Sequence, residues 1–109
     1  MPVAAPPLHL LVAAAPGAPG ADATLADAEA GARAGLAVHV LFTEAGLAYL
    51  ATDWPRRLAG AGVALSMCAR SARLRKVDPV KVLSSVRWSS LTAFLRDLPA
   101  EARLWSVFP

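Results

Sequence analysis

The stretch Gly62-Val63-Ala64-Leu65-Ser66-Met67-Cys68 decides the fold of this chain. A glycine opens it, and the apolar run that follows has the length of a buried β-strand. The run ends on Cys68, the single cysteine of the chain, where a strand is expected to give way to a helix. Residues 69–76 then carry four cationic side chains. The sequence therefore predicts a lone thiol at the carboxyl end of a strand, next to a basic segment.

That thiol has two interpretations. Backbone N–H groups at the start of a helix, together with nearby arginine or lysine, favour the thiolate form and make a cysteine reactive. A free cysteine is also among the residue types most often buried, where it acts as a small hydrophobic side chain. The spacing around Cys68 leaves both interpretations open.

Length and composition predict one domain over residues 1–109. The chain has 109 residues, enough for one proper core. Apolar residues make up 56% of it and charged residues only 17%, which leaves little polar material to cover the surface. We therefore expect self-association or a protein partner, because exposed apolar surface marks interaction sites.

The most apolar segment, residues 3–15, predicts neither a membrane span nor a signal peptide. Pro6 and Pro7 interrupt it, it is shorter than the roughly 20 apolar residues that a span requires, and it lacks a basic region. One cysteine excludes an internal disulfide, and no Cys/His cluster has the spacing of a zinc site. We expect a cytoplasmic protein with no metal and no cofactor.

The basic residues are concentrated in the half that contains Cys68. Up to Leu50 there are four acidic residues against Arg33 alone, while the remainder has ten Lys or Arg against four acidic residues. A basic half is compatible with nucleic-acid binding, but no interleaved aromatics or recognised motif support that function. An acidic protein partner or an anionic group on a substrate fits the pattern better.

Hydrophobic periodicity and turn residues predict alternating strands and helices. The predicted strands cover residues 8–14, 36–43, 62–68, 86–88 and 103–108. Helices are expected over 22–34 with Asp22 or Thr24 as N-cap and over 47–59 with a restart at Pro55. Two more are expected over 79–83 after Asp78 and over 91–98 after the caps Ser89 and Ser90. This order predicts a three-layer α/β domain with a mostly parallel sheet of about five strands.

Several side chains are assigned to the core or to an interface. The last helix has apolar residues at i, i+3, i+4 and i+7, which predict a core-facing stripe formed by Leu91, Phe94, Leu95 and Leu98. His39 lies inside the second strand, where a packing role is expected rather than general-base catalysis. The tryptophans are expected to be core or interface anchors: Trp54, Trp88 and Trp105.

Two segments suggest a ligand site at the carboxyl ends of the strands, where the ligand sites of open parallel sheets lie. Glu44 follows the second strand, and residues 15–20 form a turn rich in glycine and proline after the first. Neither of the glycine-rich phosphate-binding motifs is present. A nucleotide- or anion-binding module that uses the loop 15–20 and the Glu44 edge stays an alternative function.

The order of these segments resembles the small DsrE/DsrF-like family of sulfur-relay proteins. The closest match is the segment 62–72, and the strand 8–12, the segment 38–46 and the strand 105–108 match as well. Their order and spacing over nearly the whole chain carry the resemblance.

The resemblance implies a flavodoxin-like fold assembled as a homo-oligomer, either a trimer or a hexamer of two trimers. It also implies a sulfurtransferase-like carrier, in which Cys68 holds a persulfide received from a sulfur donor protein and passed to an acceptor protein. Paralogous subunits of such assemblies can lack the cysteine and serve as scaffold. A scaffold or interaction subunit with an inert thiol is therefore the alternative.

One thiolate is enough for this chemistry, whereas thiol–disulfide oxidoreduction usually needs a second, resolving thiol. Arg70 and Arg73 are expected to help hold the charge of the thiolate at the partner-binding edge, and Glu44 is expected to line the same edge. Family members often have a glycine shortly after the cysteine helix, in the region where this chain has Lys76. That difference concerns the shape of the loop that faces the substrate and not the position of the sulfur.

Overall fold

A five-stranded parallel sheet forms the centre of the computed structural model, which describes residues 5–109. The strands are β1 (Leu8–Val12), β2 (Val38–Phe42), β3 (Ala64–Cys68), β4 (Val86–Ser89) and β5 (Arg103–Val107). They lie in the order β4-β3-β2-β1-β5, and every neighbouring pair is parallel. The expected three-layer α/β class with a mostly parallel sheet of about five strands is confirmed, and the strand ends differ from the prediction by at most two residues. The strand order differs from the 2-1-3-4-5 order of a flavodoxin-like sheet, so that part of the expectation is wrong.

Within residues 5–109, four α-helices and two 3₁₀ helices connect the strands. The α-helices are α1 (Ala21–Arg33), α2 (Trp54–Gly60), α3 (Ala69–Leu74) and α4 (Leu91–Arg96), and the 3₁₀ helices cover Glu44–Ala51 and Pro79–Lys81. The connections from β1 to β4 all step the same way across the sheet, while the connection from β4 to β5 runs back from one edge to the other. Since parallel connections are right-handed, this reversal puts α4 on the face opposite to the other helices.

The main core lies on the face covered by the helices that precede β4. Alternate strand residues point into it, and Leu10, Val40 and Met67 are completely buried there. Leu25 of α1 and Leu58 of α2 pack against them. The opposite face carries a much smaller cluster, formed by Leu11, Leu41 and Phe94. One face of the sheet is therefore thickly covered, and the other is covered only where α4 lies.

The N-terminus of α1 is capped differently from the prediction. The N-cap is Gly20, with a left-handed φ of 78°, and not Asp22 or Thr24. The Asp22 carboxylate accepts a hydrogen bond from the hydroxyl of the buried Tyr49. The Thr24 hydroxyl donates to the Gly20 carbonyl at 2.7 Å. Both side chains are engaged elsewhere, so neither is free to cap the helix.

The other helices are shorter than predicted. The region 47–59 is divided between the first 3₁₀ helix and α2, with Pro55 in the first turn of α2 as expected. The helix expected after Asp78 is a single 3₁₀ turn, which the Asp78 side chain caps. Ser90 caps α4 as expected, but the helix ends two residues before residue 98. The caps Asp78 and Ser90 are thus confirmed, while the helices that they begin are shorter than predicted.

The expected core stripe of α4 is only partly correct. Phe94 is 4% exposed, whereas Leu91 and Leu95 are 37% and 43% exposed. A helix of six residues makes fewer than two turns, and a single ring, that of Phe94, packs against both His9 and His39. Part of the apolar face of α4 therefore points to solvent.

The tryptophans of the edge strands are not core residues. Trp88 on β4 and Trp105 on β5 are 44% and 39% exposed, because these strands form the two edges of the sheet. Trp54 is half-buried, and the Arg57 guanidinium lies over its ring, 3.9 Å from the centroid. Their role as interface anchors stays a prediction.

No helix within residues 5–109 has the length and apolar character needed to cross a membrane. The apolar segment for which neither a span nor a signal peptide was expected begins at residue 3, so its first residues lie outside the described part of the chain. From Leu8 to Val12 the segment is β1, and most of that strand is buried.

The helices α1, α2 and α3 end in the same hydrogen-bonded motif, which explains the Lys76 position. One residue after each helix cap is in the left-handed region: Gly35 at φ 97°, Gly62 at φ 92° and Lys76 at φ 55°. The backbone N–H groups of that residue and of the next one donate hydrogen bonds to carbonyls of the last helical turn. One example is the bond from the Val77 N–H to the Ala72 carbonyl at 2.9 Å. Glycine adopts this conformation without a Cβ clash. Lys76 therefore occupies a position that suits glycine.

Replacing Lys76 by glycine is expected to stabilise the fold. The change removes the left-handed strain of a residue with a Cβ, partly offset by the larger unfolded-state entropy of glycine, for a net gain of roughly 0.5–1 kcal/mol in the free energy of unfolding. Urea denaturation measures this quantity. K76A is the matched control, because it removes the same charge and keeps a Cβ, and its stability should stay close to that of the wild type. Equal stability of K76G and K76A would contradict this explanation.

Candidate functional site

The carboxyl ends of β2 and β3 position the candidate site. The two strands pair in parallel with Phe42 opposite Met67, so the next residues, Thr43 and Cys68, lie side by side. Side chains alternate along a strand, so Phe42 and Met67 enter the main core while Thr43 and Cys68 point to the other side. The chain turns into the first 3₁₀ helix after Thr43 and into α3 after Cys68.

A cavity of about 450 Å³ opens where these strands end. Its lining includes Thr43, Glu44, Cys68, Arg70, Ser71 and Leu91. Cys68 is 7% exposed, so its sulfur is reached through this cavity rather than from the open surface. The cavity thus joins the end of β2, the helix α3 and the start of α4 around one thiol.

Three polar side chains beside the thiol form a chain of hydrogen bonds. The Ser71 hydroxyl donates to the Glu44 carboxylate at 3.0 Å, and the hydroxyl oxygens of Thr43 and Ser71 are 3.2 Å apart. Thr43 and Ser71 are both buried, so they depend on each other and on Glu44 for hydrogen bonds. Glu44 reaches Ser71 from a left-handed backbone conformation with a φ of 50°. That conformation costs free energy for a residue with a Cβ, which indicates that the surroundings hold the carboxylate in place.

The pKa of Cys68 lies below its ordinary value. Burial raises the pKa of the thiol and is the largest single effect, but four hydrogen-bond donors together outweigh it. They are the Ser71 backbone N–H, the Ser71 hydroxyl, the Thr43 hydroxyl and the Leu91 backbone N–H. These surroundings favour the thiolate, which is the nucleophilic form of cysteine.

Some of the predicted site residues line this cavity, and one does not. Glu44 and Arg70 line it together with Cys68. Arg73 is exposed on α3 and is not part of the lining. Neutral hydrogen-bond donors account for the lowered pKa of Cys68. The expected role of Arg70 and Arg73 in holding the charge of the thiolate stays a prediction.

Sequence reasoning missed Thr43 and Ser71. The strand register carries a signal for Thr43, because Thr43 follows β2 where Cys68 ends β3. Ser71 comes three residues after Cys68, which is close to one helical turn and brings its hydroxyl back toward the sulfur. The sequence gives no such local indication that the Leu91 backbone N–H lies near Cys68, because that contact depends on how α4 returns across the sheet.

The loop 15–20 and Glu44 are not brought together in this cavity. The loop leads into α1, and none of its residues lines the cavity around Cys68. A larger cavity of about 790 Å³ lies at the opposite end of the sheet, where Pro7 precedes β1 and Ala37 precedes β2. Among the described residues, no thiol or hydroxyl group lines this larger cavity. Of these two cavities, the one around Cys68 is therefore the better candidate for nucleophilic chemistry.

Two histidines lie side by side beneath α4. His9 is in register with His39, and both rings contact Phe94, with centroid distances of 5.4 Å and 5.1 Å. The His39 Nε2 and the Ser66 hydroxyl are 2.8 Å apart. Burial is the main cause that lowers the pKa of each histidine, so the neutral rings are favoured. This arrangement is the packing role expected for His39, and within residues 5–109 no three His, Cys, Asp or Glu side chains are grouped to hold a metal ion.

No family model matches the sequence, and no curated protein matches it. Solved structures do match its fold. The ychN protein from E. coli has a TM-score of 0.73 at 11% sequence identity, with 94% of this chain and 99% of that chain covered. MTH1491, a protein of unknown function from Methanobacterium thermoautotrophicum, has a TM-score of 0.73 at 14% identity, with 93% and 99% covered. At such identities the likeness establishes a common fold and no more.

Removing the Thr43 hydroxyl is expected to raise the pKa of Cys68. Valine keeps the shape of threonine and lacks the donor to the thiolate, so the pKa should rise by roughly 0.5–1 unit in T43V. The rate of alkylation by iodoacetamide, followed by intact mass against pH, reports this pKa directly because Cys68 is the only cysteine.

T24V is the matched control, since the Thr24 hydroxyl bonds only the Gly20 carbonyl, and its Cys68 pKa should equal that of the wild type. In the wild type the alkylation midpoint should lie below that of the urea-unfolded chain. An unchanged or lower pKa in T43V would rule out a role for this hydroxyl.

Proposed function

We propose that the chain is an intracellular sulfur carrier that holds sulfane sulfur as a persulfide on Cys68. The observation that carries the proposal is the position of the only thiol of the chain, in an open cavity whose neutral donors favour the thiolate. A preformed thiolate needs no general base to act as a nucleophile. The DsrE-like resemblance of the sequence points to the same chemistry.

In the loading step the Cys68 thiolate attacks the terminal sulfur of a donor persulfide. A new S–S bond forms between Cys68 Sγ and that sulfur, the S–S bond of the donor breaks, and the donor cysteine leaves as a thiolate. One sulfane sulfur moves from donor to carrier, so no external oxidant or reductant takes part. In the unloading step an acceptor thiolate attacks the terminal sulfur on Cys68 in the same way, and Cys68 is the leaving thiolate.

The single thiol favours this chemistry over dithiol oxidoreduction. A dithiol oxidoreductase resolves its mixed disulfide with a second cysteine, and this chain has one. A persulfide carrier has no such requirement. It needs space beyond the sulfur atom, which the cavity of about 450 Å³ provides.

We also propose that the sulfur donor and acceptor are proteins that dock at the mouth of the cavity. Leu74 lines the cavity and is 70% exposed, and Arg70 beside it is exposed as well. No ion pair among the described residues involves Arg70 or Arg73. An exposed leucine among unpaired cations suits a partner surface with an apolar centre and acidic surroundings. The cytoplasm suits the proposed carrier because its reducing conditions keep a single thiol free.

Incubation with inorganic polysulfide is expected to add the mass of one sulfur atom to the chain. Intact-mass spectrometry measures the gain, and dithiothreitol should remove it because thiols reduce persulfides. C68S should gain nothing. The urea-unfolded wild type is a second control, since it has the same thiol without the donors and should load more slowly at neutral pH. A folded wild type that takes up sulfur neither from polysulfide nor from a protein persulfide would overturn the proposal.

A scaffold or interaction subunit with an inert thiol is the second candidate, and the burial of Cys68 favours it. With 7% exposure the thiol is as inaccessible as many packing cysteines. An inert thiol would react with iodoacetamide more slowly in the folded chain than in the unfolded chain at every pH. A carrier thiol would react faster in the folded chain at neutral pH, so the two functions are separated by one comparison.

We further propose that the chain assembles as a homo-oligomer, a trimer or a hexamer, through the face that carries α4. Among the described helices only α4 covers that face, and it has six residues. Leu95 on α4 is 43% exposed. Leu104 on β5 is in register with His9 on β1, and it is 46% exposed. Contact between copies would remove this apolar surface from water, which contributes about 25 cal/mol per Å² of apolar area.

Light scattering at micromolar concentration should report several times the chain mass of 11.3 kDa. L95K should lower the measured mass, because a charged side chain in an apolar interface is desolvated without a partner. V80K is the matched control, since Val80 is 92% exposed outside this face, and its mass should equal that of the wild type. A monomeric wild type would exclude the homo-oligomer.

A further inference from the structure

The Ser71 hydroxyl has one proton, and the structure shows where it goes. It is donated to the Glu44 carboxylate at 3.0 Å. The Thr43 oxygen lies 3.2 Å from Ser71 Oγ, and because the Ser71 proton is already used, the Thr43 hydroxyl must be the donor in that pair. Both hydroxyl protons are therefore directed along a chain from Thr43 to Ser71 to Glu44.

When Cys68 ionises, the thiolate draws on the same two protons, because the Ser71 and Thr43 hydroxyls are among the donors that hydrogen-bond to it. Cys68 lines the cavity together with Thr43, Glu44 and Ser71. Ser71 can donate to the sulfur only if it releases Glu44, and Thr43 can donate only if it releases Ser71. Ser71 is 2% exposed and Thr43 is 5% exposed, so the two hydroxyls bond chiefly to each other and to the side chains beside them. The carboxylate and the sulfur thus compete for one short chain of hydroxyl protons.

We propose that Glu44 is a positioning residue that tunes the basicity of the Cys68 thiolate by competing with the sulfur for the Ser71 hydroxyl. The inference rests on the proposed function, because it describes how the sulfur-carrying thiol is adjusted. While Glu44 holds the Ser71 proton, the thiolate is less stabilised and keeps more of its basicity. A more basic thiolate is intrinsically the stronger nucleophile, which suits attack on a sulfane sulfur.

The backbone around Glu44 supports this role. Glu44 keeps a φ of 50°, a conformation that its own side chain disfavours. Two residues further, Gly46 lies so close to β1 that a Cβ would clash with the Val12 carbonyl. The start of the 3₁₀ helix is therefore pressed against the sheet, and this packing holds the carboxylate within reach of Ser71.

Few other charged groups face the thiol. In the cavity lining, Arg70 is the charged residue that α3 contributes, and α4 contributes Leu91 and Thr92, which carry no charge. Replacing Glu44 therefore removes one negative charge and one hydrogen-bond acceptor. Loss of the charge lowers the pKa of Cys68 whether or not Ser71 is present, whereas loss of the acceptor acts only through Ser71.

A double-mutant cycle separates these two effects. The pKa of Cys68 is measured from the ultraviolet absorbance of the thiolate in the wild type, E44A, S71A and the double variant. Cys68 is the only cysteine, and burial followed by the Asp22 hydrogen bond raises the pKa of Tyr49, the only tyrosine, so tyrosinate does not interfere. E44A should lower the pKa of Cys68 by about one unit when Ser71 is present, and by less than half as much when Ser71 is replaced.

E44G is a second variant that guards against misfolding, because glycine fits the φ of 50° and removes the same carboxylate. It should fold at least as stably as E44A, checked by circular dichroism, and should show the same shift. An unchanged or raised pKa in both variants overturns the inference, and so does a shift of equal size with and without Ser71. The titration uses no sulfur donor, so its outcome is independent of whether the chain takes up sulfur.

Discussion

The right-handedness of parallel β connections is the constraint on which this structure depends. The steps from β1 to β4 run in one direction and put their helices on one face, while the return to β5 puts α4 on the other. The main core forms on the first face, and the second receives a helix of six residues. Because side chains alternate along β3, burying Met67 in the main core turns Cys68 toward the thinner side. Handedness and strand period together therefore place the thiol beside a cavity and not inside the core.

Short-range neutral donors then lower the pKa of the thiol. Burial alone would raise the pKa of Cys68, and two backbone N–H groups and two hydroxyls reverse that effect. Hydroxyls in a buried site act at low effective dielectric, where hydrogen bonds are strongest, whereas exposed arginines are screened by water and salt. Arg70 and Arg73 are exposed on α3, and we propose that they face a partner surface. In that proposal the reactivity of the thiol and the recognition of a partner depend on different residues.

The sequence predicted the features that depend on local properties. The strand that ends at Cys68 follows from its apolar run, and the start of α2 follows from Pro55, which is tolerated in the first helical turn. The exposure of Leu95 was mispredicted, because burial depends on which face a helix covers and how far it extends. The bond from Ser71 to Glu44 carried no sequence signal, since it requires a left-handed backbone at a residue other than glycine. The hydrophobic period of a single strand or helix can thus be read from the sequence. Contacts between elements that are distant in the chain can be predicted only once the strand order is known.

The sulfane sulfur that we propose on Cys68 should be in a form that another nucleophile can accept. Cyanide is a small acceptor of sulfane sulfur, and it needs no docking surface. The most direct measurement is the amount of thiocyanate formed when the protein is treated with polysulfide, freed of excess donor and exposed to cyanide. We expect one thiocyanate per chain for the wild type and none for C68S. A wild type that forms no thiocyanate, or a C68S variant that forms as much as the wild type, would contradict the proposal.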